Sequence, residues 1–158
     1  MKSALALLAV LTANVAVPAS AEDWRLVSLS TDNRAAFFID LDTLKSESDT
    51  IRRATVLVVI GSGLERFAAL KAESKFDCSA NKIHLGRSVA YNDAAAVVTV
   101  EEDNPTEPWE VMKPDSNFIN TAEIVCGRKP VSNEKFGPDL PIAPARALLA
   151  KRVQTQAT

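Results

Sequence analysis

The chain has 158 residues, 47% apolar, 24% charged and 6% aromatic, with 18 Lys and Arg against 20 Asp and Glu. These proportions exclude a disordered or collagen-like chain and fit one folded domain. A net charge of −2 excludes a general nucleic-acid binder, which needs a dense basic face, and one histidine with two cysteines leaves almost nothing for a metal site or a histidine-dependent active site.

Residues 1–21 read as a secretory signal peptide. Lys2 gives a positive start, Ala4 to Val17 is short and apolar apart from Thr12 and Asn14, and Ala19-Ser20-Ala21 is a small-x-small cleavage site. The alternative, a membrane anchor, is disfavoured because the run is too short and too polar in its second half. No cysteine stands at the cleavage point to take a lipid, and no later run is long enough to span a bilayer. Cleavage after Ala21 leaves 137 residues, 17 basic against 20 acidic, in the periplasm or outside the cell. Residues 22–127 hold 11 basic and 18 acidic residues, net −7, and residues 128–158 hold 6 and 2, net +4. An acidic body carries a basic tail.

The body reads as strands in succession. Trp24 to Ser30 alternates, with Trp24, Leu26 and Ser28 on one side and Arg25, Val27 and Leu29 on the other. Thr31-Asp32-Asn33 is turn chemistry. Ala35 to Leu41 is a second strand with Phe37, Ile39 and Leu41 in phase, and adjacent Phe38 implies that the other face is covered too. Asp42 to Asp49 is a polar connection. Ile51 to Ile60 ends in a β-branched apolar run that suits a strand buried on both faces, and Gly61-Ser62-Gly63 breaks it. Phe67 to Cys78 sends Lys71, Glu73, Lys75 and Asp77 to a wet face and Ala72, Ser74, Phe76 and Cys78 to a covered one. Lys82 to Tyr91 is a fifth strand, with Ile83, Leu85, Val89 and Tyr91 sharing a face. Asn92-Asp93 signals a hairpin into a sixth, Ala94 to Val100. Glu101 to Pro108 is an acidic, proline-bearing loop.

Trp109 to Met112 reads as a short edge strand or a tie-down. Pro114-Asp115-Ser116 opens a helix that Asp115 or Ser116 caps; Phe118, Ile119, Ala122, Val125 and Cys126 follow at helical spacing, and Gly127 stands just past the end. An even cysteine count in an exported chain favours a Cys78–Cys126 disulfide over two buried thiols. Closing a loop of about 49 residues is worth roughly 4 kcal/mol, and the bridge would pin the helix onto the sheet. Arg128 to Pro144, with four prolines, reads as an extended linker. Ala145 to Gln154 is a short helix, marginal alone and expected to fray, with a membrane-surface or partner-binding helix as the alternative. The expected organisation is a signal at 1–21, a sheet domain at 22–127 and a proline-rich basic tail at 128–158.

Catalytic chemistry is thin. His84 sits on a strand among Lys82, Gly86 and Ser88, in no motif that names a nucleophile or an orienting acid. Gly61-Ser62-Gly63 lacks the spacing of a nucleophile elbow, and no glycine-rich phosphate loop precedes a helix. Asp40 and Asp42 read as turn-capping carboxylates, and Glu101-Glu102-Asp103 as a solvated acidic loop without the ordered spacing of a calcium site. No catalytic residue, metal or cofactor is expected. Trp24 and Trp109 read as tryptophans buried at the sheet edges, with an aromatic contact surface as the alternative.

The order of features carries a resemblance. Trp24 opens the body, then come Phe37-Phe38-Ile39-Asp40, Ser74-Lys75-Phe76-Asp77-Cys78, a strand ending at Tyr91, Trp109-Glu110-Val111, Pro114-Asp115-Ser116 and a closing Cys126. From Trp24 to Cys126 the chain resembles the surface-adhesin protein E-like domain family of small exported bacterial proteins. The resemblance implies a mainly β (α+β) fold: a six-stranded antiparallel sheet curved into a half-barrel, with a C-terminal helix held by the disulfide on its concave side. It implies an adhesin that binds host matrix and serum proteins and can dimerise. It gives Trp24, Asp40, Tyr91, Trp109 and Ser116 structural roles and carries over no binding residue. The expected function is a non-enzymatic binding module for a protein partner. A carrier of a small apolar ligand under the helix and a hydrolase using His84 are the alternatives.

Overall fold

The computed structural model describes residues 22–63 and 66–156. The signal reading of residues 1–21 lies outside them. Six strands form a meander: β1 (Trp24–Leu29), β2 (Ala35–Ser46), β3 (Ile51–Ile60), β4 (Ala69–Asp77), β5 (Lys82–Tyr91) and β6 (Val97–Glu101). They lie in chain order, each antiparallel to its neighbours, and β1 does not pair with β6, so the sheet stays open as a half-barrel requires. A two-residue strand, β7 (Glu110–Val111), pairs with the start of β5. Two helices complete the fold, α1 (Asn117–Val125) and α2 (Ile142–Gln156).

The central strands are apolar on both faces because each face has its own helix. Phe38 pairs with Leu57 and Ile39 with Val56. Period two sends the first pair to one face and the second to the other. Phe38 and Leu57 join Trp24, Ala36 and Val59 in a cluster closed by Ile142, Ala145 and Leu149 of α2. Ile39 and Val56 join Ala54, Phe76 and Ile83 in a second cluster closed by Ala122 and Val125 of α1. Each large side chain taken fully out of water here contributes about 1.5–3 kcal/mol.

Two bulges change the faces that strict alternation predicts. Val27 is an extra residue in β1, so Leu29 returns to the same face as Trp24 and Leu26. Gly86 and Arg87 of β5 together oppose Glu73 of β4. Ile83 and Leu85 therefore face the α1 side, whereas Val89 and Tyr91 lie on the α2 side, opposite Lys71 and Ala69. Gly86 lets the strands close up there: a Cβ would stand 3.1 Å from the Glu73 carbonyl oxygen, a tight contact.

Ser116 caps α1, its Oγ accepting the Phe118 N–H at 3.2 Å. At the other end Gly127 takes φ +71°, its N–H reaches the Ile124 carbonyl at 3.0 Å and the Arg128 N–H reaches Glu123 at 2.8 Å. This pair of bonds closes the helix in a Schellman motif. The Cys78–Cys126 disulfide, with Cα atoms 5.7 Å apart, ties that end to the end of β4.

The tail is not frayed in the described residues. Phe136 donates its N–H to the Trp24 carbonyl at 3.1 Å, extending the β1 edge, and its ring meets Phe38 edge-on at 5.0 Å. The helix begins at Ile142, three residues before the expected start. Pro144 is tolerated because a first-turn N–H has no intrahelical partner to lose. Ile142, Ala145 and Leu149 recur at helical spacing and are buried.

Candidate functional site

The sheet face under α2 changes character along its strands. Toward the Ala36–Val59 pair it is apolar and filled by the helix. Toward the other end the same alternation brings up Asp40, Thr55, Lys71 and Glu73, and no helix covers them. Asp40 pairs with Thr55, and Thr55 with Glu73, across three strands. These residues floor a cleft of about 210 Å³ bordered by Glu22, Arg87, Val89 and Tyr91. A second cleft of about 230 Å³ shares Thr43, Thr55 and Glu73 and adds Asp42, Lys45 and Arg53.

Asp40 is a buried carboxylate on this face, 2% exposed, beside the buried Thr55. Its Oδ1 accepts the N–H of Asp23 at 2.9 Å and of Asp42 at 3.1 Å. Burial raises its pKa above the ordinary carboxyl value, the two N–H bonds pull it part of the way back, and the charges of Glu22 and Asp42 push it up again. Trp24 lies in register with Asp40 on β1, fully buried, and its Nε1 donates to Glu22 at 2.9 Å. Lys71 stands over the Trp24 ring at 5.8 Å and pairs with Glu22. Carboxylates and cations thus alternate around the cleft, an arrangement suited to polar contacts rather than to an apolar ligand.

The face ends at His84. The imidazole is 7% exposed, its Nε2 lies 2.9 Å from Asp103 Oδ1, and its ring lies 5.8 Å from that of Trp109. Among the described residues its side-chain partners are Asp103 and Trp109. The acidic loop after β6 is drawn onto the sheet at this point, with Asp103 against Gly86.

The structure brings Trp24, Asp40 and Tyr91 to one face. It sets Trp109 at the His84 corner, exposed rather than buried as expected because it lies at the open border of the sheet, and Ser116 with Cys78 and Cys126 on the α1 side. Sequence reasoning missed Glu22, Thr55 and Arg87 as cleft residues. It did assign Lys71 and Glu73 to a wet face, and that charge alternation was the available signal. Among the described residues no group of three His, Cys, Asp or Glu could hold a metal, and no helix is long and apolar enough to cross a membrane.

Comparison with known proteins gives a family likeness and a structural one. The family model described as surface-adhesin protein E matches residues 24–127. A crystal structure of Haemophilus influenzae protein E superposes with a TM-score of 0.46 at 16% identity, over 76% of this chain and 98% of that one. No curated protein matches.

Proposed function

The chain belongs to the surface-adhesin protein E family, and we propose that it is an exported, non-enzymatic module that holds a protein partner. Membership implies an adhesin-like binding role and an exported or surface location. One observation carries the reading. The matched stretch, 24–127, runs from the buried Trp24 that opens the sheet to the glycine that ends the disulfide-tied helix, so the match takes in all the strands and α1. The mixed-charge clefts support polar, protein-like contacts, and the engagement of His84 by Asp103 and Trp109 supports a structural role for the one histidine. The compartment we propose is the periplasm or the exterior, after cleavage at Ala21.

The test is binding by the whole mature chain. Immobilised chain 22–158 is exposed to purified host matrix and serum proteins and to envelope extract, beside an unrelated exported domain. Saturable capture of a defined protein is the expected result. Failure to retain any protein above the control would overturn the reading.

A further inference from the structure

Seven large apolar side chains are exposed among the described residues, and six of them sit along one border of the sheet: Leu85, Val97, Val98, Val100, Trp109 and Val111. Val97 is 59% exposed and Val111 67%. The border is the free edge of the meander. β6 pairs with the last residues of β5 and β7 with its first two, on the side of β5 away from β4. The two short strands therefore lie in line beside a ten-residue strand, giving an edge about 33 Å long.

Open edges are usually blunted by lysine, proline or a covering element. The opposite edge is treated that way, since Phe136 of the tail bonds to β1 and Lys135 bridges to Arg25. β6 is Val97-Val98-Thr99-Val100-Glu101, with neither lysine nor proline and every residue exposed. A bulge at Val98 is its only irregularity.

The charge around this edge has one sign. Residues 92–112 hold six acids and no Lys, Arg or His. Three of the six are neutralised or engaged by Arg87, His84 and Arg146. Among the described residues no cation pairs with Glu101, Glu107 or Glu110.

We infer that the β6–β7 edge is a docking site for an extended basic segment of a partner protein, added to the sheet as a further strand. Backbone hydrogen bonds to β6 supply the grip, alternate apolar side chains meet the exposed valines, and lysines or arginines meet the three unpaired carboxylates. A second copy of this chain fits less well. Pairing two such edges sets two acidic, cation-free borders within a strand spacing of about 4.8 Å. The inference rests on the binding-module reading and names its surface.

The test uses the mature chain with two fluorescent peptides, one alternating valine with lysine and one alternating valine with glutamate, read by anisotropy at low and physiological salt. The lysine peptide is expected to bind and the glutamate peptide not to bind. Val98→Lys is expected to weaken binding at least about tenfold. The double change Glu101→Lys with Glu107→Lys, which touches no ion pair, is expected to weaken it and flatten its salt dependence. Circular dichroism checks that both variants fold.

No binding of the lysine peptide, or equal binding by parent and both variants, would overturn the inference. So would a dimer in sedimentation that Val98→Lys dissolves, which gives the edge to a second copy. If a matrix or envelope protein is captured equally by parent and Val98→Lys, the module reading stands and the edge falls. If the lysine peptide binds but no protein is captured, the edge stands and the module reading falls.

Discussion

Asp40 is a carboxylate almost wholly out of water, and the sign of its effect on stability follows from its surroundings. Burial lifts its pKa, and the N–H groups of Asp23 and Asp42 only partly oppose it. A raised value means that the folded chain holds the proton more tightly than the unfolded chain. The ionised group is then a cost above the raised pKa, relieved as pH falls toward the ordinary Asp value. Asp40→Asn keeps an oxygen for both donors and removes the charge. It is expected to melt at or above the parent temperature at neutral pH, with the gap closing as pH nears about 4. Asp40→Ala strands two N–H groups and is expected to cost about 1–3 kcal/mol. Thermal scans of both across pH decide it. An Asn variant melting well below the parent at neutral pH would mean that a counter-ion stabilises the carboxylate in solution. Ser116→Ala, which removes only the α1 cap, is expected to cost about 1 kcal/mol by denaturant titration.

Among the elements, those with a strong period were legible. β3 could be placed because a β-branched apolar run of that length has few other homes, and α1 because cap, spacing and terminal glycine agree. The faces after Val27 and after Arg87 were not legible. A bulge shifts a strand by one residue, and its signal is the partner strand, which one segment does not display. The cleft was half legible: the charges of β4 mark part of its floor, but Asp40 and Thr55 come from β2 and β3 and its borders from Glu22 and β5, and their meeting is tertiary. The docking of α2 was hidden for another reason. Its buried stripe is only Ile142, Ala145 and Leu149, a pattern too sparse to tell from a frayed terminus until the facing Phe38 and Leu57 are known. Leu149→Ala should therefore cost about 2–4 kcal/mol. Hydrogen exchange should then speed across 142–156 while amides of β2 to β4 stay protected. Exchange of α2 at coil rates in the parent itself would show that the helix is not docked in solution.

At the scale of the whole molecule, the uneven charge becomes a means of assembly. The acidic body receives the basic tail through Lys135 on Asp23 and Arg146 on Asp93, while the hydrophobic contact is made by residues between and beyond them. Asp23 is held below the ordinary carboxyl range, first by its hydrogen bond to Arg25 and further by Lys135. Its contribution is present above the ordinary Asp pKa and fades as pH falls through the lowered one, opposite in sign to Asp40. The other whole-molecule constraint is covalent. The bridge joins β4 to the end of α1 across 48 positions, so it restrains the unfolded chain over much of the matched domain. Its loss is expected to cost roughly 4 kcal/mol by chain entropy. Such a bond persists only in an oxidising compartment, which couples the stability of the domain to export. Alkylation of the intact protein without reductant, followed by mass spectrometry of periplasmic, membrane and culture fractions, tests the coupling directly. A mass beginning at Glu22 with no labelled thiol is expected. Two labelled thiols on a chain that keeps residues 1–21 would separate the fold from export, and the docking surfaces would then have to be sought among cytoplasmic partners.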